Sequence, residues 1–224
     1  MKQTFLFIFI LLVSIQHNFS QKLVLSDQSE ISVITAGPGD VLYEAFGHSA
    51  IRVKDPTLNL DIIFNYGLFD FNQPNFYVNF VKGRLLYRIG KQSFKRFITS
   101  YDYQQRWVKD QVLNLSLVDR KKIYNYLNEN SLPENAEYLY DPYFNNCATK
   151  LRDLTIEILG NKVQFPNSFS NEDFTLRQLM NQELPWNTWG SFGINLALGN
   201  ALDKEIVAKK YLYLPDYIHK AFEK

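Results

Sequence analysis

Cysteine is almost missing from this chain of 224 residues, which has one, Cys147. No internal disulfide can form, so the fold must hold through its own core. Histidine is nearly as scarce, with only His17, His48 and His219. One thiol and so few imidazoles supply no zinc-type ligand cluster, and no metal is expected. A glycine-rich loop able to cradle phosphates is missing too, and nothing implies a cofactor. Net charge is +1, from Lys+Arg 24 against Asp+Glu 23, which removes the electrostatic case for a nucleic-acid partner. The only long apolar run is TFLFIFILLVSI, Thr4 to Ile15, which is too short for an ordinary membrane span. It follows Lys2 and precedes polar residues and Ser20-Gln21. That order predicts a signal peptide over 1–20, export, and one domain over 21–224. No cysteine lies near the cleavage point, so direct lipid anchoring is not expected.

Hydrophobic content is 46% and aromatic content is 16%, with Phe 18 and Tyr 14. These rings can fill a core or line an apolar groove. Segments 31–35, 49–54, 60–66, 85–89 and 108–115 read as strands from their β-branched content or alternation. Asp40 is a candidate cap for a helix over 41–46, and Asn72 for one over 74–81. Ser93 caps a helix to about Tyr101, and Ser116, with Asp119 three residues on, caps another to about Asn128. Segment 132–140 reads as irregular or extended. Further helices are expected over 147–159, ended by Gly160, and over 172–181, 194–202 and 216–222. The fold class is α+β, a small antiparallel sheet packed by helices.

Asn146 is a good N-cap, which puts Cys147 in the first turn of a helix. Unpaired amides and the helix dipole favour a thiolate there, and the same amides can stabilise an oxyanion. His17 falls in the signal segment and His219 near the chain end, which leaves His48, at the mouth of a strand, as the base. A hairpin turning at Pro56-Thr57 places Asn65 opposite His48, where its side-chain oxygen can fix the imidazole tautomer. A one-residue slip would present Tyr66 instead. Asn146, Arg152 and Asp153, around the thiol, are further supporting candidates. Each residue also has a plainer role open to it: Cys147 as a small buried hydrophobe, Asn146 as a cap, Arg152 and Asp153 as a surface pair.

Histidine and strands first, with the cysteine helix last, resembles the circularly permuted NlpC/papain-like thiol enzymes. A closer resemblance is carried by TAGPGDVLYEAFGHSAIRV (Thr35 to Val53), IIFNYGLFDFNQPNFYVNFVKGRLLYRIG (Ile62 to Gly90) and YFNNCATKLRD (Tyr143 to Asp153). These are similar to the periplasmic domain of the Lnb family, bacterial lipoprotein N-acyltransferases. The resemblance implies a thiol acyltransferase with Cys147 as nucleophile and His48 as base. An acyl chain would pass through a Cys147 thioester to the N-terminal amine of a diacylglyceryl-modified lipoprotein. The expected partners are a diacylated lipoprotein or a phospholipid acyl donor, with a membrane surface or a membrane partner and no nucleic acid. Phe46, Phe64, Tyr66, Phe69, Phe71, Phe76, Tyr77 and Phe80 are candidates for an acyl groove. Full-length members carry membrane helices after this domain and the sequence to Lys224 has none, consistent with either a stand-alone paralogue or a fragment. Two other functions stay open: a thiol hydrolase of the same fold acting on cell-wall peptide amides or lipid esters, and a non-catalytic binding domain.

Overall fold

A computed structural model describes residues 23–166, 169, 174–204 and 206–223. The signal segment 1–20 and the expected helix start at Glu172 lie outside the described residues, as do the side chains of Tyr77 and Phe80. The strands are β1 (Glu30–Ala36), β2 (His48–Asp55), β3 (Leu60–Leu68), β4 (Leu86–Ser93), β5 (Val108–Val112) and β6 (Glu137–Leu139). They form one 6-stranded sheet in the order β5-β1-β2-β3-β4-β6, with every paired neighbour antiparallel. The helices are α1 (Phe76–Val81), α2 (Phe94–Tyr103), α3 (Leu117–Asn130), α4 (Cys147–Leu159), α5 (Leu176–Glu183), α6 (Trp189–Ala197) and α7 (Pro215–Phe222).

Alternation along the strands divides the apolar residues between two faces. Val33, Ile51, Val53 and Phe64 belong to the main core with Leu151 and Leu154 of α4, Ile123 and Leu127 of α3, and Ile218 of α7. Ile34, Ala50 and Ile63 form a smaller core with Phe97 of α2 on the other side. Leu151 and Leu154 are fully buried, which contributes about 1.5–3 kcal/mol each and holds α4 against the sheet.

Local chemistry explains where the elements depart from expectation. Asp40 caps nothing: segment 41–46 holds only a 3-10 turn, Leu42–Glu44, whose N-cap is Val41 without a side-chain bond. Asn72 does not cap α1, because its own amide donates to Asp70 in a tight turn and the helix begins later, at Phe76. Helix α6 starts earlier than expected because Thr188 caps it through the Ser191 amide. Ser93 and Ser116 cap α2 and α3 as expected.

The β2–β3 hairpin has the greatest bearing on the site. Buried Asp55 accepts from the amides of Thr57 and Leu58, and Pro56–Leu58 forms a 3-10 turn closed by Asn59 at φ 51. This longer turn pairs Asp55 with Leu60 and Ile51 with Phe64, two residues away from the expected register. A shift of two keeps every side chain on its face. Asn65 therefore remains on the His48 side, as its diagonal neighbour instead of its direct partner.

Candidate active site

Cys147 is the first residue of α4. Asn146 precedes it in extended conformation and closes a capping box with Thr149. The Asn146 Oδ1 accepts from the Thr149 amide at 2.9 Å, and its Nδ2 donates to the carbonyls of Pro142 (2.7 Å) and Tyr213 (2.9 Å). All polar atoms of this side chain are thus engaged in holding the helix start. Asn146 positions the thiol and does not face substrate.

Alternation directs His48 and Asn65 toward the α2 face, whereas α4 packs on the opposite one. They meet at the end of the sheet, where β3 is irregular between Asn65 and Leu68. Gly67 lies in that bulge at φ 92. A Cβ on it would stand 3.8 Å from His48 Cε1 and 3.9 Å from the Cys147 Cβ, so the bare glycine separates the imidazole from the thiol. His48 Nε2–H donates to Asn65 Oδ1 at 2.5 Å. That bond fixes the tautomer and leaves Nδ1 as the ring nitrogen available to the thiol.

The electrostatics follow from this geometry. Burial alone would push the His48 imidazole down. The charge and hydrogen bond of Cys147, with the Asn65 bond, outweigh burial and the opposing charge of Arg106, and raise it above its ordinary 6.5. For Cys147, burial acts to raise the thiol. The His48 charge and hydrogen bond, with the backbone amides of Ser49 and Ala148, reverse this and bring it below its ordinary 9.0. The pair therefore favours thiolate and imidazolium together. Cys147 as a residue is partly exposed.

The other candidates are placed elsewhere. Tyr66 points into the main core, and its hydroxyl donates to Asn130 at 2.6 Å; it is not a partner of His48. Arg152 pairs with its neighbour Asp153 at 2.7 Å, an ion pair on the flank of α4 with no bond to His48 or Cys147. Phe64 is fully buried under the sheet and lines no accessible groove, and Phe46 is partly buried against the same core. Phe69, Phe71 and Phe76 do form a ring cluster with Tyr43 and Tyr87, in which Phe76 and Tyr87 are buried and Tyr43 and Phe71 are exposed. Tyr140 stacks on Tyr87 at 4.0 Å and lies within the field of the Cys147 thiolate. A run of ring contacts thus leads from Tyr140 through Tyr87 and Phe69 to exposed Phe71. A cavity of 710 Å³ lies at the far end of α4, beside Ile156, Gly160 and Val163, about 18 Å along the helix from the thiol.

Sequence reasoning missed Gly67, Tyr101, Arg106, Tyr138 and Tyr140. For Gly67 there was a signal, since a glycine inside a strand pattern marks a bulge or a close approach. The tyrosines gave none, because their nearness to the thiol comes from the packing of β6 and α2.

The family profile for the Lnb N-terminal periplasmic domain matches residues 16–182, from before β1 into α5, and so covers every residue of this site. The chain belongs to the Lnb N-terminal periplasmic domain family. Comparison with curated proteins and with solved structures gives no match. In this Lnb domain no helix among the described residues is long and apolar enough to cross a membrane. The family is one of periplasmic domains, in keeping with the exported reading of the first residues.

Proposed function

We propose that this Lnb domain is a thiol acyltransferase that acts on exported bacterial lipoproteins, on a circularly permuted papain-like fold. One observation carries the proposal: Cys147, at the start of α4, and His48 meet across Gly67, a Cβ on which would stand 3.9 Å from the Cys147 Cβ and 3.8 Å from His48 Cε1, and the His48 ring is bound by Asn65. The Cys147 thiolate attacks the carbonyl carbon of a lipid ester, forming a C–S bond. The tetrahedral oxyanion collapses, the ester C–O bond breaks, and the His48 imidazolium gives its proton to the leaving glycerol oxygen. The lipoprotein's free α-amine then attacks the thioester carbon and gives a proton to His48 as the C–N bond forms; the C–S bond breaks, the Cys147 thiolate is restored, and the N-acylated product leaves. Transfer to an amine requires water to be kept from the thioester. The ring path through Tyr140, Tyr87 and Phe69 favours an acyl chain over a peptide and sets this reading above a cell-wall hydrolase.

Incubation with a diacylated lipopeptide tests it by mass spectrometry of the protein and the peptide. The expected result is one fatty-acyl mass on the protein, removed by hydroxylamine and absent in Cys147→Ser, with N-acylated lipopeptide accumulating. Free fatty acid in place of N-acylated peptide would make it a hydrolase. No adduct, with slow iodoacetamide labelling of Cys147, would make it a binding domain.

The lipid substrate calls for contact with a bilayer. Residues 184–202 contain no charged side chain. Trp186 and Trp189 are 91% and 89% exposed, with Phe192 and Leu196 also exposed on α6. Leu42, in the turn that leads to His48, lies against Gly190 and so places α6 beside the site. Tryptophans suit the membrane–water interface. A Trp186→Ser/Trp189→Ser double variant is expected to lose about tenfold or more in co-sedimentation with phosphatidylethanolamine/phosphatidylglycerol vesicles. Its turnover of a short soluble ester should stay at the parent level, and equal vesicle binding would refute the role.

A further inference from the structure

We propose that Tyr138 is the oxyanion donor of this site, its buried hydroxyl hydrogen-bonding the tetrahedral oxygen formed when Cys147 attacks an acyl carbonyl. The proposal rests on the acyl-transfer function above and adds a catalytic residue to it.

Tyr138 stands on the short edge strand β6, paired with Tyr87 of β4. Its ring packs edge-on against Tyr66 at 6.1 Å, and the Lys150 ammonium of α4, one turn beyond Cys147, lies 4.5 Å above it. The ring is therefore clamped between the sheet and the thiol's own helix. Its hydroxyl is buried and has no hydrogen-bond acceptor. A buried phenol normally finds a partner, and an orphaned one costs about 1–3 kcal/mol. Tyr66, on which the ring packs, immediately precedes Gly67, and Gly67 lies against both His48 and Cys147. The unused donor is thus carried on a ring packed between the residue before Gly67 and the turn of α4 that follows Cys147.

The chemistry suits the task. When the C–S bond forms, the carbonyl π pair moves onto oxygen, and a fixed O–H in a water-poor site stabilises that charge without reorganisation. The proton stays on the phenol. Burial, and then the Cys147 charge, hold the Tyr138 hydroxyl well above the ordinary tyrosine range, so it remains a neutral donor. When the C–O bond breaks, the oxygen becomes a carbonyl again and the hydrogen bond weakens. Tyr101 and Tyr140 also feel the thiolate. Only Tyr138, of the three, has a buried hydroxyl left without a partner.

Tyr138→Phe keeps the ring and removes the donor. Three measurements on parent and variant decide the matter: the nitrophenol burst from p-nitrophenyl octanoate, iodoacetamide alkylation of Cys147 at the same pH, and the thermal midpoint. Alkylation needs the thiolate but passes through no oxyanion, so it separates the two roles. The expected result is a burst rate lower by about 10²–10³-fold, alkylation within twofold of the parent, and an equal or higher midpoint. An unchanged burst overturns the proposal. So does a parallel fall in alkylation, which would place the hydroxyl's effect on the thiol itself. A lower midpoint or a failure to fold would show the hydroxyl serving the structure, and would overturn it equally. A parent that gives no burst defeats the acyl-transfer function, and this proposal with it; a burst of equal rate in both proteins defeats only the role of Tyr138.

Discussion

Replacing His48 with alanine is expected to slow thioester formation by about 10²–10⁴-fold, because one side chain serves as base, acid and counter-charge. In the parent, His48 is raised above 6.5 and Cys147 is lowered below 9.0, each chiefly against the pull of burial. The two titrate as a coupled pair, each drawing the other toward its charged form. Lowering pH through the lower apparent pKa protonates the sulfur. Raising it through the upper one removes the acid that the leaving glycerol needs. In His48→Ala the thiol keeps its burial and loses the opposing charge, so its titration moves upward. Iodoacetamide labelling at pH 6.5–7 should then fall by at least an order of magnitude and recover only in alkaline buffer. A pH profile of labelling that is identical in parent and variant would show that the two groups do not communicate. Asn65→Ala should give a smaller loss with the same sign, since the ring stays but its tautomer and orientation are no longer held.

Asn146→Ala is expected to be the most destabilising single change near the site, by about 2–4 kcal/mol. Loss of the N-cap bond to Thr149 costs about 1 kcal/mol, and the carbonyls of Pro142 and Tyr213 each lose a donor within the protein. For a domain of this size the thermal midpoint should fall by roughly 5–15 °C. Asn146→Asp separates the parts, because a carboxylate keeps the acceptor for Thr149 but donates to neither carbonyl. It should lie between Asn146→Ala and the parent. A midpoint for Asn146→Ala within 2 °C of the parent would mean that these three bonds do not hold the start of α4.

Helix caps were legible wherever the cap bond is local. Ser93, Ser116 and Asn146 each bond an amide three residues on, and no tertiary contact competes. Asp40 and Asn72 carried the same signal and failed, Asn72 because it sits in a turn held by Asp70 and the helix begins only at Phe76. The pairing of His48 with Asn65 followed from strand alternation, which tolerates a register error of two. The acyl-groove residues were less legible. Phe64 and Phe69 look alike as apolar residues of one segment, yet one is sealed under the sheet and the other lies beyond the Gly67 bulge in the ring cluster. Arg152 and Asp153 were adjacent to the thiol in sequence, and the turn of α4 carries them away from it.

The sequence by itself determined the components: a single thiol behind a capping asparagine, an imidazole at a strand's entry, and an asparagine in the facing strand. These depend on spacing within one element, which short-range bonds enforce. Only the tertiary structure decided that the sulfur rounds the sheet's end to reach the ring, that Tyr66 faces the core, and that Tyr138 brings an unused hydroxyl beside them. Those contacts join segments far apart in the chain, and their positions depend on how α4 and β6 pack against the sheet, information that no local pattern carries.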